Sequence, residues 1–306
     1  MVRNSVVIDT DPGIDDVVAL ALAARSPELD VATVTTSYGN ATLAATTRNA
    51  KQLLRLAGRA DIPVEPGSDR PLERPLVTAP ETHGETGVGH AAVDDEERVE
   101  TDPTVILRVF ERLAEPVTLV TLGPLTNLAH ALRADQELVR RGLRRHIGMF
   151  GNINERGNAN RWADFNAWCD PEAVKLVLEA GLETTMVGLD VTRRMTFTAH
   201  EVQRFAASHD PLISWLGAAL TFYVEFHVSQ ERLEGCVVND VLPIGELLSP
   251  GLLASRLVSL TIDLDEGEHR GHTRVRSGGH VTEVALEVDI PRMRQLLGRI
   301  LPEETQ

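Results

Sequence analysis

Apolar runs alternate with helically spaced stretches along most of the chain. Val6-Val7-Ile8 carries a strand through Thr10, and a helix is expected over 15–24. Val31–Ser37 reads as the next strand, followed by a helix over 42–56 for which Asn40 offers an N-cap. Val117–Leu122 precedes Gly123-Pro124 and another helix, and His146–Gly151 is a further strand that leads into a loop. Pro171–Ala180 reads as a helix capped by Asp170 and ended by Gly181, and Thr184–Leu189 as a strand. This alternation predicts an α/β fold: a Rossmann-like open, mainly parallel sheet with helices on both faces. The Pro-, Gly- and acid-rich stretch 63–102 breaks the rhythm and reads as a long loop of the kind that often carries function. Residues 199–248 look helical, and the period-two pattern within 256–289 predicts additional antiparallel strands near the C-terminus.

Composition narrows the class. The 306 residues and 42 % hydrophobic content suit one large α/β domain, taken as 1–306. A formal charge of −15 argues against nucleic acid or an anionic membrane as partner. Two cysteines, Cys169 and Cys236, give no disulfide framework and favour a reducing cytoplasm. Met1 to Ser5 lead into the first strand without a secretory pattern, and no apolar stretch is read as approaching the roughly 20 residues that span a bilayer.

The densest chemical signal is Asp9-Thr10-Asp11-Pro12-Gly13-Ile14-Asp15-Asp16. Four carboxylates this close repel one another unless a cation sits among them. They fall at the C-terminal end of a strand, where open α/β sheets place their ligands. Hard oxygen donors on a turn select Ca²⁺ or Mg²⁺ over zinc. Capping and turn chemistry accounts for one such aspartate at a strand-to-helix junction, but poorly for four.

With that core, 7–20 resembles the signature of the inosine-uridine-preferring nucleoside hydrolase family. Further blocks match in family order: Gly39-Asn40, His83-Gly84, Gly123-Pro124-Leu125-Thr126-Asn127-Leu128-Ala129, Ala163-Asp164-Phe165-Asn166, Asp170-Pro171-Glu172-Ala173, Leu189-Asp190-Val191-Thr192 and Asn239-Asp240-Val241-Leu242. The resemblance implies hydrolysis of the N-glycosidic bond of ribonucleosides with Ca²⁺ as cofactor, in a homodimer or homotetramer. It implies that Asp11 is both a Ca²⁺ ligand and the base that deprotonates water. Asp16, Asp240 and the backbone carbonyl of Leu122 complete the ligand set. Asp15, Asn40, Asn158, Asp164 and Asn166 match ribose contacts, and Asp9 supports the ligands from behind.

Two departures concern the substrate. Asp164 stands where the family usually has Glu. Asn239 replaces a histidine often assigned as the leaving-group acid, and Asn cannot supply a titrating proton. Asn239 is therefore retained only as a substrate contact, and His83 and His227 become the candidate acids. Trp162 and Tyr223 are candidates to stack on the base. Two other readings are open. A non-catalytic nucleoside-binding protein would keep the fold and release no base. A haloacid-dehalogenase-like phosphatase shares the opening Asp-x-Asp, but needs a later Lys and acidic pair for which no convincing set is found.

Overall fold

The computed structural model describes residues 4–95 and 98–301; the termini of the expected domain and Met1 to Arg3 lie outside them. Nine strands form one sheet: β1 (Asn4–Thr10), β2 (Leu29–Thr36), β3 (Val64–Pro66), β4 (Val117–Thr121), β5 (Leu143–Gly148), β6 (Thr184–Met186), β9 (Leu253–Ile262), β10 (Thr273–Val275) and β11 (His280–Val288). Their order is β10-β9-β11-β6-β5-β4-β1-β2-β3. Every pair from β3 across to β11 is parallel, and only β9 with β11 and β9 with β10 are antiparallel. A separate antiparallel pair joins β7 (Thr196–Thr198) to β8 (Gly235–Val237).

Burial on both faces explains why the central strands read as continuous apolar runs. In β1, Val6 and Ile8 enter one core while Val7 enters the other. In β4, Val120 faces the first core, and Val117 and Leu119 face the second. The chain runs outward from β1 to β2 and β3, then returns to β4 on the opposite side of β1. That reversal opens a crevice beyond the carboxyl ends of β1 and β4, the position at which such sheets bind ligands.

Several boundaries differ from the sequence reading. The helix Leu43–Leu56 is capped by the Thr42 side chain and not by Asn40, which is engaged elsewhere. The loop 63–102 contains β3 and the short helix Pro80–His83. The expected strand at 184–189 ends at Met186, and the chain turns into a helix at Leu189–Thr192. The expected helical region 199–248 is interrupted by β8, because Cys236 and Val237 complete a sheet with β7. Pro211–Glu231 forms a continuous helical segment of 21 residues, longer than any apolar stretch expected from the sequence; its most apolar 18 residues are half buried, with Leu212, Leu216, Ala219 and Leu220 in the core.

Candidate active site

The aspartate-rich turn spans the gap between β1 and the helix Ile14–Arg25. Asp16 does two jobs there. Its Oδ2 accepts from the Gly13 N–H at the helix start (3.0 Å), as capping predicts. Its Oδ1 accepts from the Thr10 hydroxyl at 2.5 Å. The Asn40 amide donates to Asp16 Oδ2 (2.8 Å) and to the Asp11 carbonyl (3.2 Å), so Asn40 braces the turn. The Asn40 backbone N–H donates to Asp11 Oδ2 at 2.7 Å. Gly39 and Gly123 press on Asp11 from two sides: a Cβ on either would come within 1.9 and 2.4 Å of its carboxylate oxygens. Asp9 lies behind, accepting through Oδ1 from Thr35 (2.6 Å) and Asn127 (2.8 Å).

Asp240, more than two hundred residues away in sequence, closes the cluster. Asp15, Asp16 and Asp240 are all buried, and each offers an oxygen within 4.8 Å of the others. Asp11 Oδ1 is buried without a hydrogen-bond partner. Burial, reinforced by the neighbouring carboxylates, pushes Asp11 and Asp240 well above the usual range. Burial raises Asp16 to about 6 and Asp9 to about 7. An all-carboxylate group with an orphaned acceptor, and no Lys or Arg bonded to it among the described residues, fits a hard divalent cation. Leu122 lines the cleft, and its carbonyl accepts from the Asn166 amide at 2.6 Å.

Above the cluster opens a cleft of about 710 Å³, its open mouth included. Asp15, Asn40, His83, Leu122, Asn158, Asp164, Asn166, His227, Asn239 and Asp240 all line it; Asp11 and Asp16 are buried against Asn40. Asp164 is the N-cap of the helix Phe165–Cys169, and its Oδ1 also accepts from the Gly151 N–H; burial raises it to about 6. Asn158 Oδ1 accepts from the Phe165 N–H. Asn166 donates to the carbonyls of Leu122 and Met149, which fixes its side-chain oxygen.

The far wall is aromatic. Tyr223 packs between His83, at 5.3 Å between ring centroids, and His227, at 4.5 Å. Its hydroxyl donates to Asp15 Oδ2 (3.3 Å). The Ile14 N–H donates to His83 Nδ1 (3.1 Å), so the proton of this neutral ring sits on Nε2; burial pushes its pKa down to about 4. His227 Nδ1 donates to the Tyr223 carbonyl (2.8 Å), leaving Nε2 free, and burial lowers its pKa as well. Asn239 uses both ends of its amide: Nδ2 donates to Asp15 Oδ2 (3.0 Å) and Oδ1 accepts from the Thr192 hydroxyl (2.9 Å). Trp162 is not part of this wall; it packs on His269 and His272 at the C-terminal hairpin.

Sequence reasoning passed over Arg193, Glu231, Met149 and Phe226, which also line the cleft. Arg193 follows directly on the Leu189–Thr192 block, which was the available signal. Glu231 carried none, because it enters only where the helix loosens into a π turn at His227–Glu231.

A sequence profile described as inosine-uridine preferring nucleoside hydrolase matches residues 6–295. The chain is 39 % identical over 255 residues to the pyrimidine-specific ribonucleoside hydrolase RihA of Photobacterium profundum, covering 82 % of this chain and 81 % of that protein. Among solved structures it is similar to a plant nucleoside hydrolase, the PpNRh1 enzyme, with a TM-score of 0.89 at 29 % identity, covering 98 % of this chain and 100 % of the other. It is also similar to the purine-preferring ribonucleoside hydrolase from Gardnerella vaginalis, with a TM-score of 0.87 at 26 % identity and 96 % of each chain covered.

Proposed function

The chain belongs to the inosine-uridine preferring nucleoside hydrolase family and is a ribonucleoside hydrolase, and from that premise we propose that it is Ca²⁺-dependent and prefers pyrimidine nucleosides. The observation that carries the metal reading is the buried trio Asp15, Asp16 and Asp240 beside the orphaned Asp11 Oδ1. Asp11, Asp16, Asp240 and the Leu122 carbonyl would hold the ion, with Asp15 at the ribose side of the same cluster. When bound, Ca²⁺ would supply a Lewis acid for the ribose hydroxyls and a lowered pKa for the attacking water.

The chain's own residues do the rest. Asp11 takes the proton from water, its carboxylate aimed by the Asn40 N–H and confined by Gly39 and Gly123. Asp15 lines the cleft, and its Oδ2 is held by Asn239 and Tyr223. Asn40, Asn158, Asp164 and Asn166 surround the sugar end. Hydrogen bonds to hydroxyls at these positions orient C1′ toward the water, and orientation of this kind supplies a large share of enzymatic rate.

Pyrimidine preference is supported by the curated relative's specificity and by the base end of the cleft. Asn239 offers no proton, and Ile14 occupies His83 Nδ1. His227 Nδ1 is held by the Tyr223 carbonyl, and burial lowers its pKa, which disfavours the protonated ring. The test is ribose release from a panel of uridine, cytidine, inosine and adenosine by wild type and Asp11→Asn. The expected result is a higher kcat/KM on the pyrimidines and loss of at least about 10³-fold in Asp11→Asn, the combined effect of removing a base and a charge. Inosine favoured over uridine would refute the base preference, and full activity of Asp11→Asn would refute the assignment of the base.

A further inference from the structure

Resting on the hydrolase reading above, we propose that Arg193 stabilises the departing base as an anion, in place of a leaving-group acid. As the C1′–N bond breaks, its electron pair moves onto the base nitrogen and spreads to the neighbouring carbonyl oxygens. The hydroxide portion of water bonds to C1′ and its proton goes to Asp11. The base anion then takes a proton from solvent while Asp11 releases its own to solvent, and the sum is nucleoside plus water giving ribose plus free base.

That anion leaves through a cleft walled by carboxylates: Asp15, Asp164, Glu231 and Asp240 all line it. Negative charge developing there is unfavourable unless a cation faces it. Among the described residues, Arg193 is the one Lys or Arg side chain in the lining. It caps the turn Leu189–Thr192, and the preceding Thr192 hydroxyl holds the Asn239 amide. Arg193 and Asn239 thus line the same cleft from adjoining positions of the chain's packing. Its Nη1 meets Glu231 Oε2 at 3.5 Å, while its Nε is buried without a partner. One contact of modest quality and one idle donor leave most of the five-donor fork for a ligand.

The opposing segment is built irregularly. His227–Glu231 is a π turn, and it ends at Arg232, whose φ of 59° is the one positive value for a non-glycine among the described residues. Such turns and backbone outliers concentrate at functional sites. Here the loosened turn brings Glu231 into the cleft opposite Arg193, where it holds the guanidinium without saturating it.

The experiment compares kcat on uridine with kcat on p-nitrophenyl β-D-ribofuranoside, whose leaving group departs as a stable anion unaided. Arg193→Gln is expected to lower kcat on uridine by about 100-fold, the usual effect of deleting one preorganised donor to developing charge. The loss on the p-nitrophenyl riboside is expected to be at least tenfold smaller. Arg193→Lys, which retains charge without the fork, should fall between wild type and Arg193→Gln on uridine and provides the comparison if Arg193→Gln folds poorly. Equal losses on both substrates, or an unchanged kcat on uridine, would overturn the assignment of Arg193 alone. A wild-type enzyme that releases ribose from neither substrate would overturn the hydrolase reading beneath it.

Discussion

Gly123→Ala tests whether the confinement of Asp11 matters for chemistry. An added Cβ would sit 2.4 Å from Asp11 Oδ1 and 2.8 Å from its Cγ, while ordinary contact begins near 3.4 Å. The carboxylate would have to give way by about 1 Å, the difference between 3.4 and 2.4 Å. It has little room, because Gly39 presses from the other side and the Asn40 N–H ties Oδ2 at 2.7 Å. Overpacking of this kind costs about 1–3 kcal/mol of stability. A misplacement of about 1 Å in a reacting group costs about 100-fold in rate, equivalent to about 2.7 kcal/mol of barrier. The assay is kcat/KM for ribose release from uridine, alongside a thermal melt of each protein. Gly267→Ala is the control, since nothing lies within 4 Å of the Cβ it would add. The expected result is a drop of about 100-fold in Gly123→Ala with a folded melt, and a change under about twofold in Gly267→Ala. A folded Gly123→Ala enzyme within threefold of wild type would refute the claim that Asp11 is held in a position the reaction needs.

Two further predictions concern stability. His146 is buried between the Thr121 and Thr184 hydroxyls, and burial lowers its pKa to about 3. A depressed histidine contributes stability that is complete above the unfolded pKa near 6.5 and is lost as pH falls toward 3. His146→Gln should flatten the wild-type dependence by about 1.4 kcal/mol per pH unit between roughly pH 6 and 4, read by denaturant melts; parallel curves would contradict this. Asp170 caps the helix Pro171–Glu179 through Ala173, and also accepts from the Leu72 N–H and the Thr126 hydroxyl. Asp170→Ala removes a cap and leaves two donors unpaired, a loss of about 3 kcal/mol or more. At roughly 2–4 °C per kcal/mol its Tm should fall by roughly 6–12 °C, and an unchanged Tm would refute the accounting.

What the sequence made legible follows from what is local. β1, β2 and β4 are buried on both faces, so their apolar runs stand out, and the aspartate turn announces itself by charge density. The sheet order depends on long-range pairing, such as β11 beside β6, and the period of a strand carries no record of its neighbour. Asn40 shows how one residue type serves two purposes: the same amide that suits an N-cap instead bridges Asp11 and Asp16, while Thr42 two residues on does the capping. Tyr223, a stacking candidate by type, lines the cleft, and the bond of its hydroxyl to Asp15 has no sequence signal. Trp162 reads equally as a stacking candidate or a core or rim residue, and it packs on His269 and His272. Arg193 and Glu231 escaped notice because ordinary charged residues on a turn and at a helix end look like solvated surface until the chain folds them into a cleft. Asn239 shows the reverse: its identity as a departure was visible, but its bridging of Asp15 and Thr192 was not.

On the proposed reading, the buried carboxylates hold a hard cation that hydrolysis requires. Its most direct measurement is the rate of ribose release from uridine by enzyme stripped with a chelator, then returned to excess Ca²⁺. The expected result is a loss of at least about 10²-fold on stripping, since charge stabilisation at the reacting centre is removed, and recovery of the full rate with Ca²⁺. A stripped enzyme, verified free of metal, that releases ribose at the untreated rate would contradict it.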